Sequence, residues 1–361
     1  MKQLNAIVMS VGLMLSLVAQ ASFALPASHA DVVKVSAKKK KAAANKAAPA
    51  AKPQKAKPVV DRLSSRSVVP AVVRRADAAP APASLGQLTG LHKTNDPLSL
   101  KSAVAHVEDL DTKEVLFSKN SSAVLPIASI TKLMTALVIT EAGQDMNEML
   151  TITEEDVDTE KHSTSRLRVG YTLSRRDALH LALMSSENRA ANALGRHYNG
   201  GVQTFVNAMN SKASALGMSD SRFVEPTGLS SSNVSSAPDL SRLLKAAYDK
   251  PLIRELSTSP DHVVAFKGKP MQFRNTNALV KSNDWDIGVS KTGFISEAGR
   301  CLVMNVKIEG RRLAIVLLDS MGKASRLGDA NRIKRWLESN HASVASPVKI
   351  ETPLPSRGAR A

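Results

Sequence analysis

The chain is nearly without cysteine. Its 361 residues include one, Cys301. A single thiol cannot form an intramolecular disulfide or build a cysteine-based zinc site. It lies in the apolar run Cys301-Leu302-Val303-Met304, which predicts a buried, inert thiol. Aromatic residues are also scarce, at 3%, so a core must rest on Leu, Val, Ile, Met and Ala. The eight histidines form no His-Glu-x-x-His pair, which speaks against a zinc metallopeptidase. No cofactor or metal is expected. Beyond the N-terminus, no apolar run is long enough to cross a bilayer. Acidic residues are outnumbered, 32 against 49 Lys and Arg, for a formal net charge of +17.

That charge is unevenly placed. Residues 31–80 hold 13 Lys and Arg against 3 Asp, a net of +10. Ahead of them, Lys2, an apolar run from Ala6 to Ala19 and small residues at Ala21, Ala24 and Ala30 follow the order of a secretory signal. Residues 1–24 are therefore expected to be a signal peptide, with cleavage as late as residue 30; an uncleaved anchor is the alternative. The expected location is the periplasm, either free or peripheral at membrane or wall. Residues 31–97 are rich in Lys, Ala and Pro, and Pro49, Pro53, Pro58, Pro70, Pro80 and Pro82 break any helix. Such a segment cannot bury enough apolar surface to offset its ordering entropy and reads as a disordered linker. Behind an export signal, nucleic acid is a poor partner for it. An anionic envelope surface (lipid headgroups or wall polymer) suits residues 31–80 better; a plain solvated spacer is the other reading.

A folded domain is expected over residues 98–340, with a loose tail over 341–361. Residues 102–107 and 114–117 flank a turn and predict a β-hairpin. Helical periodicity runs from just after Pro126 to Glu141. Ser174 to Asp177 reads as a helix-capping box, a further helix covers about Asn188 to Tyr198, and another runs from Asp239 to Lys250. Residues 301–308 and 313–319 predict a second hairpin, followed by a helix over 324–339. Strands at both ends with helices between them imply an α/β (α+β) domain, whose antiparallel sheet is built from both ends and flanked by helices.

Three short strings bear on chemistry: Ser129-Ile130-Thr131-Lys132, Ser186-Glu187-Asn188 and Lys291-Thr292-Gly293. Ser129 opens an apolar helix, and Lys132, three residues on, shares its face. A serine hydroxyl needs a base, and a lysine serves if burial or a second cation, here Lys291, depresses its pKa. An ordinary helix start with an exposed lysine is the competing reading. Two further S-x-x-K strings, Ser36 to Lys39 and Ser320 to Lys323, lie in the basic tract and at a strand end. Ser186 and Asn188 fall between two helices; Ser186 is placed to relay a proton and Asn188 to contact substrate or Lys132, or simply to cap a helix. Lys291 to Gly293 end an apolar strand. Lys291 and Thr292 suit a substrate carboxylate, Gly293 permits close backbone approach, and the Phe294 N–H can complete an oxyanion hole with that of Ser129.

In this order the three strings resemble the S-x-x-K, S-x-N and K-T-G trio of the low-molecular-mass penicillin-binding proteins, part of the serine β-lactamase/DD-peptidase superfamily. The resemblance spans about Leu98 to Asn340. Asp156-Val157-Asp158-Thr159, Ser165 to Gly170, Ser185 to Ala191 and Ser290 to Phe294 are similar to the D-alanyl-D-alanine endopeptidase branch. The resemblance implies Ser129 as nucleophile, Lys132 as its base, Ser186 and Asn188 as the second motif, and Lys291, Thr292 and Gly293 as the third. It implies peptidoglycan peptide stems as substrate, cut at D-alanyl cross-bridges through an acyl-serine, with β-lactams as inhibitors. A D-alanyl-D-alanine carboxypeptidase is the near alternative. Its relatives often carry an extra β domain, for which the twenty-odd residues after Asn340 are too few. A class A β-lactamase would use a glutamate in an E-x-x-x-N loop; Glu225 is present, but position 229 is Leu. A non-catalytic wall-binding protein of the same fold is the remaining alternative.

Overall fold

The computed structural model describes residues 82–340 and 348–350. The expected signal peptide and residues 31–81 of the expected linker lie outside the described residues.

Order begins before Leu98. Ser84 caps a short helix α1 (Leu85–Leu88) in a reciprocal capping box with Gln87, and its hydroxyl donates to Asp319 Oδ2 at 2.6 Å. Leu91 is buried in the main core. The expected linker therefore ends earlier than 97. Its Pro-rich composition concealed a segment docked through one cap and one leucine.

The expected hairpin is β1 (Ser102–Asp109) and β2 (Val115–Lys119). β3 (Leu125–Pro126) leads through a 3-10 turn at Ala128–Ile130 into α2 (Thr131–Glu141). A helical layer with small strand pairs follows: β4 (Met149–Thr151), β5 (Thr172–Ser174), α3 (Arg175–Met184), α4 (Asn188–Arg196), α5 (Gly201–Ala215), β6 (Val234–Ser235), α6 (Ala237–Tyr248), α7 (Pro251–Thr258), β7 (Asp261–Phe266) and β8 (Lys269–Arg274). Ser174 caps α3 by accepting from the Asp177 N–H, as its spacing suggested. The chain then returns through β9 (Asp286–Ile295), β10 (Gly299–Ile308), β11 (Arg311–Ser320) and α8 (Lys323–Ser339).

The main sheet has the order β12-β2-β1-β11-β10-β9, where β12 is Val348–Ile350. β1 pairs antiparallel with β11, Val107 opposite Ile315, so both ends of the domain meet in the middle of the sheet. β12 pairs parallel with β2, which corrects the expectation of a loose tail at these three residues. Both faces of the sheet are covered. Leu313, Ile315 and Leu317 pack with Ile333 and Leu337 of α8, whereas Ala314, Val316 and Leu318 join the larger core under α2 and α6. This period-two split explains why β11 reads as a continuous apolar run. β9 forms the sheet edge, and the start of α2 lies beside it.

Candidate active site

Ser129 sits in the 3-10 turn just ahead of α2, and Lys132 is fully buried in the first turn of that helix. The preceding residue, Ala128, has φ +48°, and Ser186 has φ +63°. These left-handed conformations in non-glycine residues are strained and bracket the cleft. The turn is held from two sides by glycines. A Cβ on Gly228, at φ +82°, would lie 1.9 Å from the Ala128 carbonyl oxygen. A Cβ on Gly293 would come within 2.9 Å of the Ile127 oxygen and 3.2 Å of the Ser129 nitrogen. Gly293 is thus required by the protein's own nucleophile turn, not only by substrate as its place in the motif suggested.

The Lys132 amine reaches three oxygens: Ser129 Oγ at 2.8 Å, Asn188 Oδ1 at 2.7 Å and the Thr227 carbonyl at 2.6 Å. Asn188 Nδ2 donates to Ser163 Oγ at 2.8 Å, which fixes the amide with its oxygen toward the lysine. Asn188 and the Thr227 carbonyl therefore present only acceptors. A neutral amine has two hydrogens and one lone pair. Its hydrogens satisfy Asn188 and Thr227, and its lone pair is left for the Ser129 hydroxyl. Burial pulls Lys132 down to about 7, against the opposing pull of Glu225 and Glu187.

Lys291 is buried as well. Its amine donates to Ser186 Oγ at 2.8 Å and to the Thr292 carbonyl at 2.9 Å. Burial first, then the charges of Lys132 and Arg326, hold it well below the ordinary lysine range. Both lysines thus stand behind the wall of the cleft, each reaching it through one serine hydroxyl. The cleft encloses about 520 Å³, and its lining includes Ser129, Ser186, Asn188, Thr292, Gly293 and Phe294. Lys291 is not part of that lining. The cations that do line it are Arg300, Lys323 and Arg326. Arg326 is buried with its Nε unpaired, and one of its terminal nitrogens donates to the Cys301 carbonyl at 3.0 Å. No motif pointed to it, because it lies on α8, 35 positions beyond Lys291.

Glu225 is the glutamate that a class A β-lactamase reading would use to activate water. Its carboxylate is committed elsewhere: it accepts from the Thr227 N–H, the Thr227 hydroxyl and the Gly228 N–H, each at 2.6 Å, and from Asn233 Nδ2 at 2.9 Å. It shapes the loop that aims the Thr227 carbonyl at Lys132. The same loop is tied to α2 where Thr135 Oγ1 donates to the Pro226 carbonyl at 2.7 Å. Glu187 accepts from Ser165 Oγ at 2.6 Å, and burial raises its pKa against the pull of Ser165, Arg166 and Lys132. Cys301 is buried and its thiol is pushed up to about 12 by burial.

A serine bonded to a buried lysine at a helix start, beside an edge strand bearing Lys-Thr-Gly, defines a serine DD-peptidase site on the β-lactamase-like fold. Comparison with known proteins agrees. The sequence profile of the D-alanyl-D-alanine carboxypeptidase family matches residues 91–322. The D-alanyl-D-alanine endopeptidase of Pseudomonas aeruginosa is 49% identical over 247 residues, 68% of this chain and 80% of that protein. That of Escherichia coli is 43% identical over 261 residues, 72% of this chain and 84% of that protein. A penicillin-binding protein of Listeria monocytogenes, solved with cefotaxime bound, is similar with a TM-score of 0.60 and 30% identity, covering 67% of this chain and 98% of that one. The chain belongs to the D-alanyl-D-alanine carboxypeptidase family, a family of serine peptidases.

Proposed function

We propose that this protein is a serine D,D-endopeptidase that cuts D-alanyl cross-bridges of peptidoglycan. The observation that carries the proposal is the buried Lys132 amine, with two acceptor-only partners and one hydroxyl. Its names-alike relatives in Pseudomonas aeruginosa and Escherichia coli support the cross-bridge as substrate.

The neutral Lys132 takes the Ser129 proton as Oγ attacks the D-alanyl carbonyl. The N–H groups of Ser129 and Phe294 hold the oxyanion that forms. The scissile C–N bond breaks as the leaving amine takes the Ser186 proton and Ser186 takes the proton held by Lys132, which leaves Lys132 neutral again. Lys291, bonded to Ser186, orients that hydroxyl. Lys132 then deprotonates a water that attacks the acyl carbonyl, and passes this proton to Ser129 Oγ as the ester bond breaks. Thr292 and the cationic end of the cleft, Arg300, Lys323 and Arg326, receive the carboxylate of the leaving residue. Glu225 is saturated by its own loop, so no spare carboxylate assists deacylation. A β-lactam should therefore remain on Ser129 as an inhibitor, which speaks against the β-lactamase alternative.

An export signal and an envelope location follow from this substrate, with residues 31–80 meeting an anionic envelope surface. Deleting residues 31–80 should lower binding to isolated walls or anionic vesicles; unchanged binding to both would make the tract a spacer. For the activity itself, purified protein given cross-linked muropeptide dimers should yield monomers, and Ser129→Ala should not. Terminal D-Ala release from pentapeptides with dimers left intact would favour the carboxypeptidase, and neither reaction would favour a binding protein.

A further inference from the structure

A second groove of about 280 Å³ lies against the cationic end of the cleft, lined in part by Pro82, Ser84, Gln87, Ser296 and Met321. Phe294 and Arg300 line both spaces. The Arg300 guanidinium stacks on the Phe294 ring at 4.2 Å, so the pair forms a sill between them. Met321 is 68% exposed and Phe294 52%, an unusual outlay of apolar surface beside a polar cleft.

The side of the cleft on which this groove lies identifies its occupant. In a D-alanyl peptide the residue after the scissile bond carries the carboxylate. Arg300, Lys323 and Arg326 therefore mark the leaving-group side, and the second groove continues outward from it. A single leaving D-alanine ends at those cations and has nothing to place beyond the sill. A cross-bridge is different, because its leaving amine belongs to a whole second peptide stem.

The wall of this groove is also set apart in sequence. Pro82, Ser84 and Gln87 precede residue 91, where the match to the carboxypeptidase family profile begins. The segment is nevertheless fixed to the site. The Ser84 hydroxyl bonds Asp319 at 2.6 Å, and the Leu85 N–H donates to the Glu297 carbonyl at 2.9 Å, next to Ser296.

We infer that the groove formed by Pro82–Gln87, Ser296 and Met321 is the subsite for the leaving peptide stem and selects cross-linked over single-stem substrates. This rests on the endopeptidase reading. The stem's apolar methylenes cross Phe294 and Met321, and its peptide groups meet Ser296 and the exposed Gln87 region.

The test is to fill the groove with Met321→Trp and, separately, Ser296→Trp. For each variant, kcat/KM on muropeptide dimers is divided by the second-order rate of acylation by benzylpenicillin, which carries no leaving peptide stem. The ratio should fall at least tenfold in both variants. An unchanged ratio overturns the inference, as does equal loss on both substrates, which would make these residues part of the acylation site. Wild-type protein that acylates with penicillin but leaves dimers intact would instead overturn the endopeptidase reading itself.

Discussion

Burial holds the Lys132 amine at about 7, and that value makes acylation depend on pH with a definite sign. Only the neutral amine can accept the Ser129 proton, so the rate should rise with pH. With a midpoint near 7, about half the enzyme is competent at pH 7, roughly one tenth at pH 6 and roughly one hundredth at pH 5. A lysine at its ordinary value of 10.5 would be neutral in only about one molecule in three thousand at pH 7. Burial therefore raises the competent fraction on the order of a thousandfold at neutral pH. The assay is the pseudo-first-order rate of acylation by a fluorescent penicillin between pH 5 and 9.5. The expected profile has unit slope below pH 6 and a plateau above pH 8. Glu187, itself raised by burial, could contribute to the acid limb, and Glu187→Gln separates the two. Its carboxylate pulls Lys132 upward, so removing it should move the midpoint down while keeping the limb. A limb that vanishes in Glu187→Gln, or a rate that climbs only above pH 9, would refute a Lys132 base set by burial.

The same burial has a cost in stability. Lowering Lys132 from 10.5 to about 7 makes the unfolded chain the better proton binder in that window, so this group's contribution to stability rises with pH from about 7 to 10.5 and is least favourable below 7. The whole effect is about 5 kcal/mol, and the urea-unfolding free energy of Lys132→Met relative to wild type should change by about that much across the window; a pH-independent difference would contradict it. Gly228→Ala puts a methyl into the Ala128 carbonyl at a positive φ, and should lower both Tm and penicillin acylation; a variant with wild-type acylation would show that the turn tolerates displacement. Arg326→Leu should reduce kcat/KM on peptides about 10–100-fold, the worth of a charge-assisted carboxylate contact, with thermal unfolding measured alongside; unchanged peptide kinetics would remove Arg326 from recognition.

Much of the fold was legible because its strands and helices carry clean periods. The β1–β2 and β10–β11 hairpins and helices α2, α3, α4, α6 and α8 fall close to their expected positions. α7 is hidden in the sequence because Pro251 reads as a helix stop, whereas it occupies the first turn of a new helix, where its missing N–H costs nothing. α5 carries its own sequence signal, since Phe205, Met209 and Ala213, all buried, recur every four residues. The β7–β8 hairpin alternates only in part, since Val263 faces solvent. At the site, Ser129, Ser186, Asn188, Thr292 and Gly293 of the three motifs line one cleft, with Lys132 and Lys291 buried behind it. The rest was silent for physical reasons. The third partner of Lys132 is the Thr227 backbone carbonyl, which has no residue-type signature. Glu225 pairs with Asn233, eight residues on, whereas the E-x-x-x-N spacing falls on Leu229. Arg326 arrives from α8 through tertiary packing alone. Ser84 and Gln87 were hidden inside a stretch whose prolines and lysines dominate its composition.

The proposed reaction requires Ser129 to become the acyl carrier. Incubation with benzylpenicillin followed by peptide mapping by mass spectrometry tests this directly. The prediction is one penicilloyl group per chain, on the peptide holding Ser129, slow to leave and lost in Ser129→Ala. A folded protein that takes up no adduct, or carries it on Ser186, would contradict it.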